Sequence, residues 1–141
     1  MNPPKTVILF AEDDEDNFSF CKEAVLKVNK NCDVRWAENG EEVIRYLERN
    51  DVPRPSLILM DLNMPKKGGL EVLKEIRRQA GWTSIPVLIM TTSLHSKDVM
   101  ECYRYGANSV IIKPMELRML NKFFESIYDY WFRTVQLPRP S

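Results

Sequence analysis

The sequence predicts an α/β fold, a doubly wound five-stranded parallel sheet with helices on both faces. Three observations predict it. Five short apolar runs, Val7–Ala11, Cys32–Trp36, Leu57–Met60, Pro86–Met90 and Ser109–Ile112, alternate with stretches whose apolar residues recur at helical spacing. Every connection is long enough for the crossover that parallel neighbours require. The central runs are apolar without alternation, as strands covered on both faces must be.

At 141 residues, 44% hydrophobic and 28% charged, the chain has the length and apolar content of one domain with a real core. A single domain over 1–141 is therefore expected. Twenty basic and twenty acidic residues cancel, so the overall balance favours neither nucleic acid nor an anionic membrane. A lone Lys precedes the first apolar run, there is no small-residue cleavage site, and no apolar segment nears the ~20 residues that span a bilayer. A cytoplasmic location is expected. Cys21, Cys32 and Cys102 form no CxxC pair and suit packed, free thiols in a reducing compartment.

The first run stops at Glu12-Asp13-Asp14-Glu15-Asp16, after which Phe18, Cys21, Val25 and Val28 mark a helix. Asp14, Glu15 and Asp16 suit a cap and a first turn, where carboxylates meet the positive end of the macrodipole. Glu12 and Asp13 come too early for that role. Cys32–Trp36 alternates like a half-exposed strand, Asn39-Gly40 supplies a turn or cap, and Val43, Ile44 and Leu47 mark a second helix. These look purely structural.

Two prolines between Asp51 and Pro55 lead into Leu57–Met60, which halts at Asp61 and then at Met64-Pro65, a pair unable to continue a ladder. Lys66-Lys67-Gly68-Gly69 reads as a flexible loop, and Leu70, Leu73 and Ile76 face one side of a third helix. The fourth run ends in the hydroxyls Thr91-Thr92-Ser93. A polar helix, Ser96 to Tyr105, leads through Gly106 to the fifth run, which stops at Lys113-Pro114. The last helix, about 116–133, carries Leu117, Leu120, Phe124, Ile127 and Trp131 on one face. Met119, Phe123, Tyr128, Tyr130 and Phe132 add apolar bulk on the others, more than one helix can bury against one sheet.

With parallel strands, Glu12, Asp13, Asp61, Thr91 and Lys113 fall at the carboxyl edge of the sheet, where such folds place their ligands. Taken singly, each has an ordinary explanation as a cap, a strand end or a solvated loop residue. Their convergence from four strands makes a site. Three carboxylates in one place raise one another's pKa values unless a cation sits among them. An all-oxygen donor set without His or Cys suits a hard ion, and Mg²⁺ is usual where phosphate is handled. The Thr91 hydroxyl can donate to a phosphoryl group and the Lys113 ammonium can neutralise it. Asp61, at the centre, is the natural nucleophile for an acyl phosphate.

The pieces Phe10-Ala11-Glu12-Asp13-Asp14, Met60-Asp61-Leu62-Asn63-Met64-Pro65-Lys66-Lys67-Gly68-Gly69, Pro86–Thr91, Gly106-Ala107 and Ile111-Ile112-Lys113-Pro114 together resemble the receiver domain of two-component response regulators. The resemblance covers nearly the whole chain. It implies the CheY-like, flavodoxin-like strand order 2-1-3-4-5. It also implies that Asp61 accepts a phosphoryl group from a sensor histidine kinase. Mg²⁺ would be held by Asp13, Asp61 and the backbone carbonyl of Asn63, with Glu12 acting through water. Thr91 would be the switch hydroxyl and Lys113 the phosphate-binding lysine, on a peptide to Pro114 that is often cis in the family. Such a protein signals rather than turning over outside substrates, with only self-phosphorylation and slow self-dephosphorylation expected. His95, the only histidine, lies in a polar loop after the site, and no direct role is expected of it.

The chain departs from the family pattern at Val110, three positions before Lys113, where many receivers carry an aromatic residue. Output should therefore depend on shifts of the Ser96–Tyr105 helix, Val110 and the C-terminal helix face, or on association. Asn63 and Ser93 occupy positions that in the family tune access of hydrolytic water. Phe123-Phe124, Tyr130-Trp131-Phe132 and Leu137-Pro138 are similar to the extended aromatic C-terminal helix of regulators that partner bacterial phytochromes. A stand-alone regulator with a short tail to Ser141, homodimeric through that helix, is expected. An over-wide apolar helix independently calls for a cover, unless Tyr128, Tyr130 and Phe132 fold back on their own domain.

Two other classes compete. An aspartate-nucleophile phosphatase of the haloacid dehalogenase type needs a DxD on an early strand, whereas Asp61-Leu62-Asn63 follows the third. A pseudo-receiver or flavodoxin-like binding module would handle no phosphate, and the intact set Glu12, Asp13, Asp61, Thr91 and Lys113 argues against it.

Overall fold

The computed structural model describes residues 5–92 and 95–138, the side chain of Leu117 excepted. Ser93 and the tail residues 139–141 lie outside that range. Strands β1 (Val7–Ala11), β2 (Asp33–Ala37), β3 (Leu57–Asp61), β4 (Val87–Thr91) and β5 (Ser109–Ile112) form one parallel sheet in the order β2-β1-β3-β4-β5. This is the expected order and class. The second strand sits one residue later than its alternation suggested.

Parity along each strand sorts the continuous apolar runs into two cores. Leu9, Ile58, Met60, Val87 and Ile89 point to the face covered by α2 (Gly40–Glu48), α3 (Gly69–Arg78) and α4 (Ser96–Arg104). Ile8, Phe10, Leu57, Leu59, Leu88 and Met90 point to the face covered by α1 (Glu15–Val28) and α5 (Leu117–Asp129). A run with no polar rung is thus what a sheet with two dry faces demands. Asp14 caps α1 as its position suggested, accepting from the N–H groups of Asp16 and Asn17. Asn39 does the same for α2 from Glu42 N–H.

The C-terminal segment departs from expectation. After α5 the chain continues as a π-helical turn, Tyr130–Thr134. Much of the surplus aromatic bulk is absorbed by the chain's own core. Tyr128 is fully buried, with its hydroxyl 2.6 Å from Cys21 Sγ on α1, and Phe132 stacks on it at 5.6 Å. Phe123 and Trp131 pack against the same core. Tyr130 and Met119 stay about half exposed, at 53% and 48%. The fold-back alternative therefore holds for Tyr128 and Phe132 but not for Tyr130.

Candidate functional site

Because the strands are parallel, β1, β3, β4 and β5 all end at one rim, and each leaves a polar residue there. Glu12 follows β1 and is buried, with its N–H on the Ala37 carbonyl at 3.0 Å. Its Oε1 accepts from Asn17 Nδ2 at 3.4 Å and its Oε2 from Lys113 Nζ at 3.0 Å. Lys113, also buried, comes from the end of β5, and its ammonium lies 3.9 Å from Asp61 Oδ2. The other Asp61 oxygen accepts from Asn63 N–H at 3.0 Å. Thr91 is buried at the end of β4, one position past Met90, the partner of Asp61 in the ladder. Its carbonyl takes the Lys113 N–H at 2.9 Å.

Carboxylate oxygens of Glu12, Asp13 and Asp61 all lie within 4.8 Å of one another. Burial pushes the Glu12 carboxyl above its usual range, Lys113 pulls it back, and Asp61 raises it again. Asp13 is held above the usual range as well, by local desolvation and then by the neighbouring Glu12. Three carboxylates against one ammonium leave two negative charges at the rim. That surplus, offered by oxygen donors alone, matches a divalent hard cation in sign, size and chemistry.

The five residues singled out in the sequence thus gather at one end of the sheet, with Glu12, Asp13 and Asp61 in mutual reach and Lys113 on Glu12 and Asp61. Asn63 is exposed, and its N–H rather than its carbonyl is the group on Asp61. His95 precedes α4 and is exposed. One expectation is corrected: no peptide among the described residues is cis, so Lys113–Pro114 is trans.

Some contributors escaped sequence reasoning. Trp36, in a stretch read as purely structural, donates its indole N–H to the Glu12 carbonyl at 2.7 Å and stacks on Phe18 at 5.2 Å. It ties the acidic loop to β2. Asn17 holds the Glu12 carboxylate from the first turn of α1. Gly69 packs against the phosphoacceptor candidate itself, since a Cβ there would lie 2.6 Å from the Asp61 carbonyl oxygen. The available signal was the parallel register, which pairs Trp36 with Phe10 two residues before Glu12.

Residues 8–125 match the family described as the response regulator receiver domain. Response regulator Rcp1 of Synechocystis sp. (strain ATCC 27184 / PCC 6803 / Kazusa) is 36% identical, with 97% of this chain and 95% of that protein covered. The phosphorylated cyanobacterial phytochrome response regulator RcpA superposes with a TM-score of 0.91 at 32% identity, covering 96% of this chain and all of that one. The Mn²⁺-bound form of Rcp1 gives a TM-score of 0.88 at 37% identity, covering 96% of this chain and 100% of that one.

Proposed function

Because this chain belongs to the response regulator receiver domain family of two-component signalling, we propose that it accepts a phosphoryl group on Asp61 with Mg²⁺ bound, and signals through altered contacts. The observation that carries this is the Lys113 ammonium bridging Glu12 and Asp61 beside a rim with two negative charges in excess. Glu12, Asp13 and Asp61 would hold the cation, with the Asn63 carbonyl as a further donor. When bound, the cation supplies charge neutralisation for the aspartate and the incoming phosphoryl oxygens.

The donor is the phosphohistidine of a sensor histidine kinase. An Asp61 carboxylate oxygen attacks phosphorus, an O–P bond forms as the N–P bond breaks, and the imidazole leaves with the electron pair and takes a proton. Lys113 neutralises the phosphoryl oxygens and Thr91 donates a hydrogen bond to one of them. A phytochrome-type kinase is the partner favoured by the likeness to RcpA, a phytochrome response regulator. Rcp1 and RcpA are matched nearly end to end.

Output by contact has a candidate surface. Met100 and Tyr103 on α4, Ile112 on β5, and Met115 and Met119 beyond it are exposed by 45% to 84%. Homodimerisation through the C-terminal helix would use Met119 and its neighbours on that side. Sedimentation of wild type and Met119→Glu, each with and without a phosphoryl mimic, tests this. A wild type that is monomeric throughout removes the dimer from the reading.

The phosphoacceptor assignment is tested with acetyl phosphate and Mg²⁺, followed by intact-mass measurement. A base-labile gain of one phosphoryl group, lost in Asp61→Asn and with EDTA, is expected. Steady phosphate release from unrelated esters would indicate a phosphatase instead.

A further inference from the structure

At the amino end of the sheet, away from the acidic rim, a cleft of about 480 Å³ opens between α3 and the end of α4, lined by Lys74, Arg77, Arg78, Arg104, Tyr105 and Gly106. Its volume falls in the range that holds small ligands. Four of its six lining residues are cationic and none is acidic, in a chain whose charges balance overall. Among the described residues, none of the four cations makes an ion pair.

The floor is rigid. Arg77 donates to the carbonyls of Gly106, Thr83 and Ile85 and to Asn108 Oδ1, at 2.9 to 3.1 Å. All four acceptors are neutral, so the guanidinium is fixed but its charge is not compensated, and burial holds it below its usual pKa range. Gly106, at φ +104°, makes room for it, since a Cβ there would meet the Arg77 side chain at 2.9 Å. Tyr105 closes one side, 39% exposed, with the Lys74 ammonium 4.2 Å from its ring centroid.

Cations at helix C-termini are ordinary, and Arg77, Arg78 and Arg104 occupy last turns. Each helix end, however, contributes only about half a negative charge. Two ends offset roughly one of the four positive charges, and the Tyr105 ring stays 39% exposed with Lys74 over it. We propose that this cleft is a ligand site for a nucleotide, with its phosphates among Lys74, Arg78 and Arg104 and its base against Tyr105. Guanidinium groups match phosphate oxygens in geometry, and an aromatic face accepts any base. Inorganic phosphate would leave both the ring and most of the volume unused.

The test is calorimetric titration of the full chain in EDTA, which denies the acidic rim a cation through which to recruit phosphate. The probes are ATP, GTP, ribose 5-phosphate, inorganic phosphate and a single-stranded oligonucleotide. Saturable binding of one ATP or GTP per chain is expected. Arg78→Ala/Arg104→Ala and Tyr105→Leu should each weaken it by at least about tenfold, with melting curves establishing that the variants fold. Asp61→Asn should leave it unchanged. The proposal is overturned if neither nucleotide binds, if the variants bind as wild type does, if ribose 5-phosphate or phosphate binds as tightly as ATP, or if only the oligonucleotide binds.

Discussion

Lys113 and Glu12 form a buried ion pair at 3.0 Å, and the rim still carries two other carboxylates. Removing the lysine strands Glu12 without its counter-ion, a loss of about 3 kcal/mol or more for a buried pair. Lys113→Met should therefore lower the urea midpoint strongly in EDTA, and Mg²⁺ should recover part of the loss. Asp13→Asn should act in the opposite direction, because it removes one of three repelling carboxylates from an exposed position. Its melting temperature in EDTA should rise, while the stabilisation that wild type gains from Mg²⁺ should shrink. These residues were legible in the sequence because each stands just past the carboxyl end of an apolar run. Trp36 was not, because a side chain that reaches across to a neighbouring loop leaves no trace in its own periodicity.

A buried thiol meets a buried phenol between α1 and α5, Cys21 and Tyr128. Burial pushes both groups above their ordinary values of 9.0 and 10.0, and it pushes Cys32 up to about 12. The folded chain thus keeps protons that the unfolded chain releases in alkali. Stability from this source is intact below about pH 9 and declines as pH rises through the unfolded values. Urea midpoints measured from about pH 8 to about pH 11 should fall, and less steeply in Cys21→Val/Tyr128→Phe. Burial also keeps these thiols protonated, so disulfide reagents should label the native protein far more slowly than the unfolded one.

Gly69 opens α3 directly against the Asp61 carbonyl. In Gly69→Ala the new methyl would have to displace the Asp61 carbonyl or the helix, at a cost of about 1–3 kcal/mol, and phosphoryl acceptance should slow. Strands and caps were readable from local pattern. The inward turn of Tyr128 was not, because its partner lies 107 residues earlier and only the fold brings them together.

At the scale of the molecule, a net charge of zero conceals two poles. The acidic rim closes the carboxyl end of the sheet, and the Lys74, Arg77, Arg78 and Arg104 group sits near the other. Composition excluded a uniformly basic protein correctly but could not register this separation, which depends on which helix ends meet. Cation binding at the rim should stabilise the whole fold by mass action, about 2.7 kcal/mol at a hundredfold excess over Kd. Thermal melts across a Mg²⁺ series check this, and Asp61→Asn should flatten the response.

Trp36 gives the protein an optical probe of its own. The indole is hydrogen-bonded to the backbone of the very loop that carries two of the rim carboxylates, whereas Trp82 lies in the α3–β4 connection and Trp131 in the C-terminal turn. Any rearrangement of that loop alters the field around a single fluorophore, so tryptophan emission should follow the state of the rim without a dye or a tag.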